Sequence, residues 1–534
     1  MPAFLFFYLA VLMGAKVCLK NMIVIFTNKY YIKVLKFEMG MKAIEKSFLF
    51  LFSLMLLVQC EKRAYPLRET RGIWMSRFDY TYFRKTHNPD SIRGYIYKTF
   101  QEAKEANFNA VFFQARGNAD AFYDSKYEPW SSLLSGKLGK NPGWDPLAFA
   151  VETAHEMGLE LHVWFNTFPA WRGEKPPSNS TPVHPLMQHP DWLVCDRYGK
   201  PMKLTSGYVS FSPGIPAVQE HLLRVIKDVI TKYDVDGIHF DYIRYPEAAN
   251  ARGYSHDKIS LKRFGSERGN PLGLNWDDWQ REQITTFVAK AYNLVKDIKP
   301  WIRVSAAVIG RYNRSSWNAY NIVYQDPRRW MELDKIDFLV PMMYLDVKTF
   351  EIAIKEWKEI IPFSSSVLAG IGLYRLDIRE AIEQVRLTRK YNLGGFVVFS
   401  STSLNGKWDV FRRNLLRYPS LSSGGFVDSV HVSPPGKFSV FSKEDSIYFM
   451  WCHPSKISEG GVKSFLVLFS PTPEITLESP ENILAVVPGN LNGFESKFRS
   501  VYKRAYFSIC TVDRFNNVSI PAKPVKLKRE MRRP

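Results

Sequence analysis

Val235-Asp236-Gly237-Ile238-His239-Phe240-Asp241-Tyr242-Ile243-Arg244-Tyr245-Pro246 decides the fold. The stretch reads as a short buried strand, Val235 to Ile243, ending in a cluster of Asp, Tyr and Arg. Side chains alternate across a strand, so Gly237, His239 and Asp241 share one face and Ile238, Phe240 and Tyr242 the other. Burying an unpaired charge costs on the order of several kcal/mol, so a face carrying His and Asp belongs in a polar cleft. A competing reading makes Asp241 only the salt-bridge partner of Arg244 or of another arginine. Asp236, at the start of the strand, reads as structural.

Working outward, the same short apolar strand recurs. Strands are predicted over 70–79, 110–116, 159–166, 302–308, 336–344, 366–372 and 394–400, besides the one at 235–243. Helical periodicity separates them, as at 91–106, 145–157, 215–233, 275–299, 347–361, 377–391 and 408–416, with a short helical piece at 326–333. Eight such units imply an α/β fold of the closed (β/α)8 TIM-barrel type, over residues 70–420. An open dinucleotide-binding sheet would show a GxGxxG turn after an early strand, and none follows any strand here. The loop 167–212 is far longer than an ordinary connection, which marks it as functional.

From 421 to 534 the pattern changes to short alternating strands, at 446–452, 464–469, 483–487 and 505–512, which predicts a small all-β sandwich with a basic tail. "YFSICTVDRFNNVS" there resembles the penultimate strand and turn of a fibronectin type III module. Cys452 and Cys510 fall in this part, either as a pair or as two buried thiols.

At the other end, residues 1–60 read as an upstream extension followed by a lipoprotein signal peptide, and 61–69 as a linker. Met41 to Lys46 is charged, Ser47 to Val58 is apolar, and Leu57-Val58-Gln59-Cys60 resembles a bacterial lipobox with Gln59 in place of the usual small residue. Translation from Met41 and lipidation of Cys60 would then give an exported, membrane-anchored protein of the cell envelope. An amino-terminal membrane anchor is the competing account. The apolar run is short for a transmembrane span.

The 534-residue chain carries a net charge of +20, which favours an anionic partner: an acidic glycan, a phospholipid surface or nucleic acid. No helix-turn-helix, zinc-finger or RNP signature accompanies the charge, which argues against nucleic acid. The histidines are too dispersed for a metal site, and nothing calls for a cofactor.

Barrel enzymes carry their reacting groups at the carboxyl ends of the strands. That rule selects Arg77 and Asp79, then Arg116 and Asp120, Asn166, the group Asp241, Tyr242, Arg244 and Tyr245, then Tyr344 and Asp346, and Tyr374 and Arg375. Trp130, Trp164, Trp171 and Tyr245 offer flat apolar faces. Carboxylates, amide, guanidinium and aromatic rings together suit a sugar, whose hydroxyls want hydrogen bonds and whose C–H faces stack on rings. Core packing is the alternative for each tyrosine.

"RGIWMSRFD", "QARGNADAFYDSKYEPWSSLLSGKLGKNPGWDPLAF", "GLELHVWFN", "HPDW", "SPGIPAVQEHLL", "YDVDGIHFDYIRYP", "KPWIRVSAAVIG", "IDFLVPMMY" and "GFVVFSSTSL" resemble the glycosyl-hydrolase-like family 10 proteins, over roughly Arg71 to Leu404. These are exported bacterial barrel proteins, some of which hydrolyse peptidoglycan glycan strands stripped of peptide. The family pattern has Gln where Met342 or Met343 stands here. The resemblance implies a glycoside hydrolase with Asp241 as general acid/base. Glycoside hydrolysis ordinarily uses two carboxyl groups. Asp120 is the leading second group, followed by Asp79, Glu247 and Asp346. With an N-acetylated substrate, the substrate's own amide can serve as nucleophile. Substrate contacts are expected from Arg116, Asn166, Trp171, Tyr242, Arg244, Tyr245 and Tyr344. Arg116 and Arg244 either meet an acidic group of the substrate or pair with carboxylates to hold them, and His239 either hydrogen-bonds Asp241 or is a satisfied structural histidine. A non-catalytic carbohydrate-binding lipoprotein and a hydrolase of dietary or host polysaccharide are the competing functions.

Overall fold

The computed structural model describes residues 65–534, apart from 206, 248, 362, 425–431, 498–504 and 528–534. The signal segment and Cys60 lie outside the described residues.

Eight strands close into a parallel barrel in which chain order and spatial order coincide. They are β1 (Thr70–Met75), β2 (Ala110–Arg116), β3 (Glu160–Asn166), β4 (Gly237–Asp241), β5 (Arg303–Ile309), β6 (Phe338–Met342), β7 (Leu368–Ile371) and β8 (Gly395–Phe399). Their outward side chains, such as Ile238 and Phe240, pack under the surrounding helices in one large core. The inward ones form a separate interior layer around Trp74, Phe112, Trp164 and Phe338. Such a two-sided apolar environment is why the strands read as near-continuous hydrophobic runs.

Three departures from strict periodicity shape the mouth. β1 ends at Met75 rather than running to Asp79, because Ser76 caps a helical turn, Arg77–Tyr80. The Ser76 hydroxyl accepts from the Asp79 amide (3.3 Å), and the Asp79 carboxylate accepts from the Ser76 amide (2.9 Å). In β2 the register slips: Gln114 faces Trp164, but Arg116 faces Phe165. One extra residue reverses every later side chain, so Arg116 turns out of the barrel. Finally β4 stops at Asp241, because Tyr242 adopts φ +49°, a left-handed conformation costly for an aromatic residue. Alternation would have placed the Tyr242 ring among the outer helices; the turn swings it into the mouth.

The long loop after β3 holds a two-stranded ribbon, Pro169–Arg172 with Tyr208–Ser210, which arches over the same end. At its floor, His239 does not bond Asp241. It accepts from the Trp74 indole N–H (3.1 Å) and meets the Ser305 hydroxyl (2.9 Å), while burial and neighbouring His162 keep it neutral. Gly237 has no room for a side chain, since a Cβ would sit 2.0 Å from the His162 ring.

Beyond the barrel, two antiparallel sheets face each other. One contains Gly436–Lys443, Ser446–Cys452 and Gly493–Ser496, the other Ile483–Pro488, Val462–Ser470, Tyr506–Asp513 and Val525–Lys526. Phe449 meets Phe507 (5.1 Å) and Trp451 meets Phe465 (5.2 Å) between them. The far face of the second sheet packs Leu466, Leu468 and Cys510 with Leu421 and Leu67. Cys510 is buried and Cys452 exposed, both as free thiols. Lys463 pairs with Glu160, and Arg514 reaches Asp234 (2.8 Å) and Asp236 (3.6 Å). These acids stand at the amino ends of β3 and β4. The sandwich therefore closes the bottom of the barrel and leaves the mouth open. Asp236, also bonded by His155 (2.9 Å), is held well below its usual range by His155 and Arg514 against the opposing effect of burial.

Candidate active site

A cleft of about 410 Å³ crosses the carboxyl end of the barrel, from the end of β4 to the ends of β1 and β8. Among the described residues, its lining contains two carboxyl groups, Asp241 and Asp79. They differ in how they are held. Asp79 is filled by protein donors: the Ser76 amide and the hydroxyls of Ser401 (3.1 Å), Thr402 (3.1 Å) and Ser400 (3.3 Å). It ties the loop after β8 to the turn after β1.

Asp241, 5% exposed, receives the Tyr242 amide (2.6 Å) and Arg244 Nη1 (3.4 Å), both at Oδ1. Burial raises its pKa above the ordinary aspartate value, although Arg244 and the Tyr242 amide pull the other way. A carboxyl group poised in this way can hold a proton and release it in place. Beside it, the buried Trp164 indole N–H makes no well-formed hydrogen bond within the protein, although it stands close enough to Asp241 to help draw that carboxyl's pKa down. A buried donor without a partner costs stability, which a bound hydroxyl or carbonyl oxygen would recover.

Two aromatic walls flank the carboxyl group. On one side the Arg244 guanidinium lies 4.3 Å over the Tyr242 ring, and Tyr242 contacts Tyr208 of the ribbon (5.2 Å). On the other, Tyr344 stacks on Phe399 (5.7 Å), and Tyr374 meets both edge-on (5.9 and 5.8 Å). Asn166, the register neighbour of Asp241, is fixed by Gln114, whose Nε2 donates to Asn166 Oδ1 (3.0 Å) while its Oε1 accepts from the Arg77 amide (3.0 Å). Met342 also lines the cleft, whereas Met343 is fully buried in the outer core.

Of the residues expected from the sequence, Asp79, Trp164, Asn166, Asp241, Tyr242, Arg244, Tyr344 and Tyr374 come together here, whereas Arg77, Arg116, Asp120, Trp130, Trp171, Tyr245, Asp346 and Arg375 do not line this cleft. Arg116 is fully buried against Glu128, with Nε–Oε2 at 2.8 Å and Nη2–Oε1 at 2.7 Å, and Nη1 bonds the carbonyls of Asn166 and Thr167. Its position follows from the bulge in β2. Asp120 sits in the turn after β2, accepting from the Asn118 amide (2.7 Å). Tyr245 is sealed among the outer packing, edge-on to Tyr324. Trp171 rests against His184 (5.1 Å) and borders a separate surface hollow. Asp346 caps the helix Val347–Ile360. Trp74, Gln114, Phe399 and Tyr208 line the cleft without having been singled out. Inward alternation along β1, β2 and β8 carries a signal for the first three, whereas Tyr208 depends on how the long loop folds back.

The profile described as Glycosyl hydrolase-like 10 matches residues 69–386, more than half of the chain. The chain belongs to this family. Glycosyl hydrolase YngK of Bacillus subtilis (strain 168) is 27% identical over 367 residues, covering 63% of this chain and 69% of that protein. Glycosyl hydrolase DigH of Escherichia coli (strain K12) is 28% identical over 345 residues, covering 59% and 75%. The glycoside hydrolase domain of PgaB (BpsB) from Bordetella bronchiseptica spans 66% of the chain and 100% of its own length at 12% identity and a TM-score of 0.46, a likeness too slight to build on. Family and relatives together support a glycoside hydrolase. The Glycosyl hydrolase-like 10 region carries Asp79, Asp241 and Tyr344, while Phe399 and the Ser400–Thr402 hydroxyls fall just beyond its matched end.

Proposed function

We propose that the chain hydrolyses O-glycosidic bonds of a bacterial cell-wall glycan or a related N-acetylated or acidic polysaccharide, with Asp241 as general acid/base. The observation that carries this reading is the buried, Arg244-held carboxyl of Asp241 at the carboxyl end of β4, between two aromatic walls. In the protonated form it donates to the leaving glycosidic oxygen, and as carboxylate it then takes a proton from the attacking water. Asp79, saturated by four protein donors, is a poor nucleophile. This favours attack at the anomeric carbon by the carbonyl oxygen of the substrate's own N-acetyl group, with the ring so formed opened by water. Tyr344, Asn166 and the Trp164 N–H are the proposed hydrogen-bonding partners of the sugar, and Tyr242 and Phe399 its stacking surfaces.

Peptide-free peptidoglycan strands are the proposed substrate. The resemblance of the motifs to cell-wall hydrolases supports that choice, and the exported, lipid-anchored location proposed from Met41 to Cys60 would suit it. The three-plus-four-stranded sandwich at the carboxyl end supports a fibronectin III-like module. Mass spectrometry of products after incubation with peptide-free murein strands and a panel of plant and host polysaccharides tests the reading. New reducing ends from murein alone are expected. Cleavage restricted to plant or host glycans would reassign the substrate, and retained binding without cleavage of any glycan would leave a carbohydrate-binding protein.

A further inference from the structure

The cleft does not end at its enclosed part. After β1, the turn Arg77–Tyr80 runs into a tight turn, Tyr82–Arg84, ended by Lys85 at φ +50°. This segment projects three aromatic rings at the β1 edge of the mouth. Phe78 is half-buried, while Tyr82 and Phe83 are 64% and 53% exposed. The rings brace one another edge-on or tilted, with Tyr82–Phe83 at 5.7 Å, Phe78–Tyr82 at 6.2 Å and Phe78–Phe83 at 6.4 Å. Behind them the guanidiniums of Arg77 and Arg172 lie 4.7 and 5.8 Å from the Phe78 ring, and Arg172 also reaches Tyr208 (5.5 Å). The outer ledge is thus joined through Arg172 and Tyr208 to the wall beside Asp241.

Two large rings left in water lean on one another and on Phe78, continuous with a cleft that Phe78 and Phe83 themselves line. A core would have absorbed them; an exposed aromatic face next to a polar groove is what the C–H face of a sugar requires. We propose that the Phe78–Tyr82–Phe83 ledge is a distal subsite, on which the next pyranose ring of a glycan chain stacks while another ring occupies the groove at Asp241. This rests on the glycoside hydrolase reading and adds to it a requirement for chain length: the preferred substrate is a polymer, and short fragments are poor ones.

Wild type, Phe83→Ala, Phe83→Tyr and Tyr82→Ala are to be compared on peptide-free murein strands fractionated by length, from the shortest cleaved fragment upward. In wild type, kcat/KM rises with chain length. Phe83→Ala is expected to lower it by about ten-fold more on long strands than on the shortest one, mostly through KM, the equivalent of one stacking contact. Phe83→Tyr, which keeps the ring, restores the length dependence, and Tyr82→Ala falls between. An equal fractional loss at every length, or no loss, overturns the subsite. If wild type cleaves nothing, the hydrolase reading fails by itself. Calorimetric titration of wild type and Phe83→Ala with the same fractions then decides the ledge: a length-dependent loss of affinity supports it, and equal affinities at all lengths overturn it.

Discussion

Replacing Arg116 by methionine separates a substrate contact from an internal support. The guanidinium is fully buried, makes two parallel bonds to the equally buried Glu128, and holds the carbonyls of Asn166 and Thr167 at the end of β3. Glu128 also receives His221 Nε2 at 3.0 Å. Burial alone would push this carboxyl up, yet Arg116 and His221 hold it down at about 2 against an ordinary 4.5. That difference corresponds to about 3 kcal/mol of stability at neutral pH. Removing one partner of a buried pair costs about 3–5 kcal/mol, because the other charge stays behind. Arg116→Met should therefore lose about 3 kcal/mol in urea unfolding followed by tryptophan fluorescence at pH 7. The folded-state pKa of Glu128 is depressed, so its contribution is complete above about pH 4.5 and disappears as pH falls toward 2. The gap between wild type and variant should narrow over that window. A variant within about 1 kcal/mol of wild type that had nonetheless lost glycan affinity would refute the reasoning and return Arg116 to the substrate.

Three further outcomes follow from the same structure. Lys463→Met leaves Glu160 buried with His162 as its remaining close side-chain partner besides Asn516, and should lower the melting temperature by a few degrees; an unchanged melting temperature would mean that the pair does not fasten the sandwich. Trp164→Phe removes the indole N–H beside Asp241, so it should cut kcat/KM by about ten-fold, as measured by steady-state kinetics; an unchanged kcat/KM would remove this donor from the substrate site. Because Asp241 must carry a proton to act as acid and its pKa is raised, kcat/KM should hold above the ordinary aspartate range and then fall as pH rises through that raised value; a rate still climbing through this region would exclude the acid role.

Much of the barrel was legible because its strands obey simple rules. Apolar runs punctuated by helical periodicity marked all eight, and the carboxyl-end rule brought Asp241, Asn166, Tyr242, Arg244 and Tyr344 to one cleft. What escaped lies where local backbone chemistry overrides periodicity. Nothing in "AVFFQAR" announces the extra residue that turns Arg116 outward. Alternation assigned Tyr242 to the outer face, and only its left-handed backbone brings the ring to the substrate side. Ser76 and Asp79 form a capping box that ends β1 early; the S-x-x-D spacing is present, but it follows directly on an apolar run whose pattern alone predicts strand. His239 looked like a partner for Asp241 because both point inward, yet the Trp74 indole lies closer and claims it. Tyr208 was out of reach altogether, since its place depends on a ribbon formed across a loop with no strong strand signal of its own.

The central claim is most directly tested by turnover and affinity of Asp241→Asn on peptide-free murein strands. Amide and carboxyl have nearly the same shape, so the cleft should keep its form and its glycan affinity while kcat falls by about a hundred- to ten-thousand-fold. Turnover within a few-fold of wild type, at unchanged affinity, would contradict the account and remove Asp241 from the reaction.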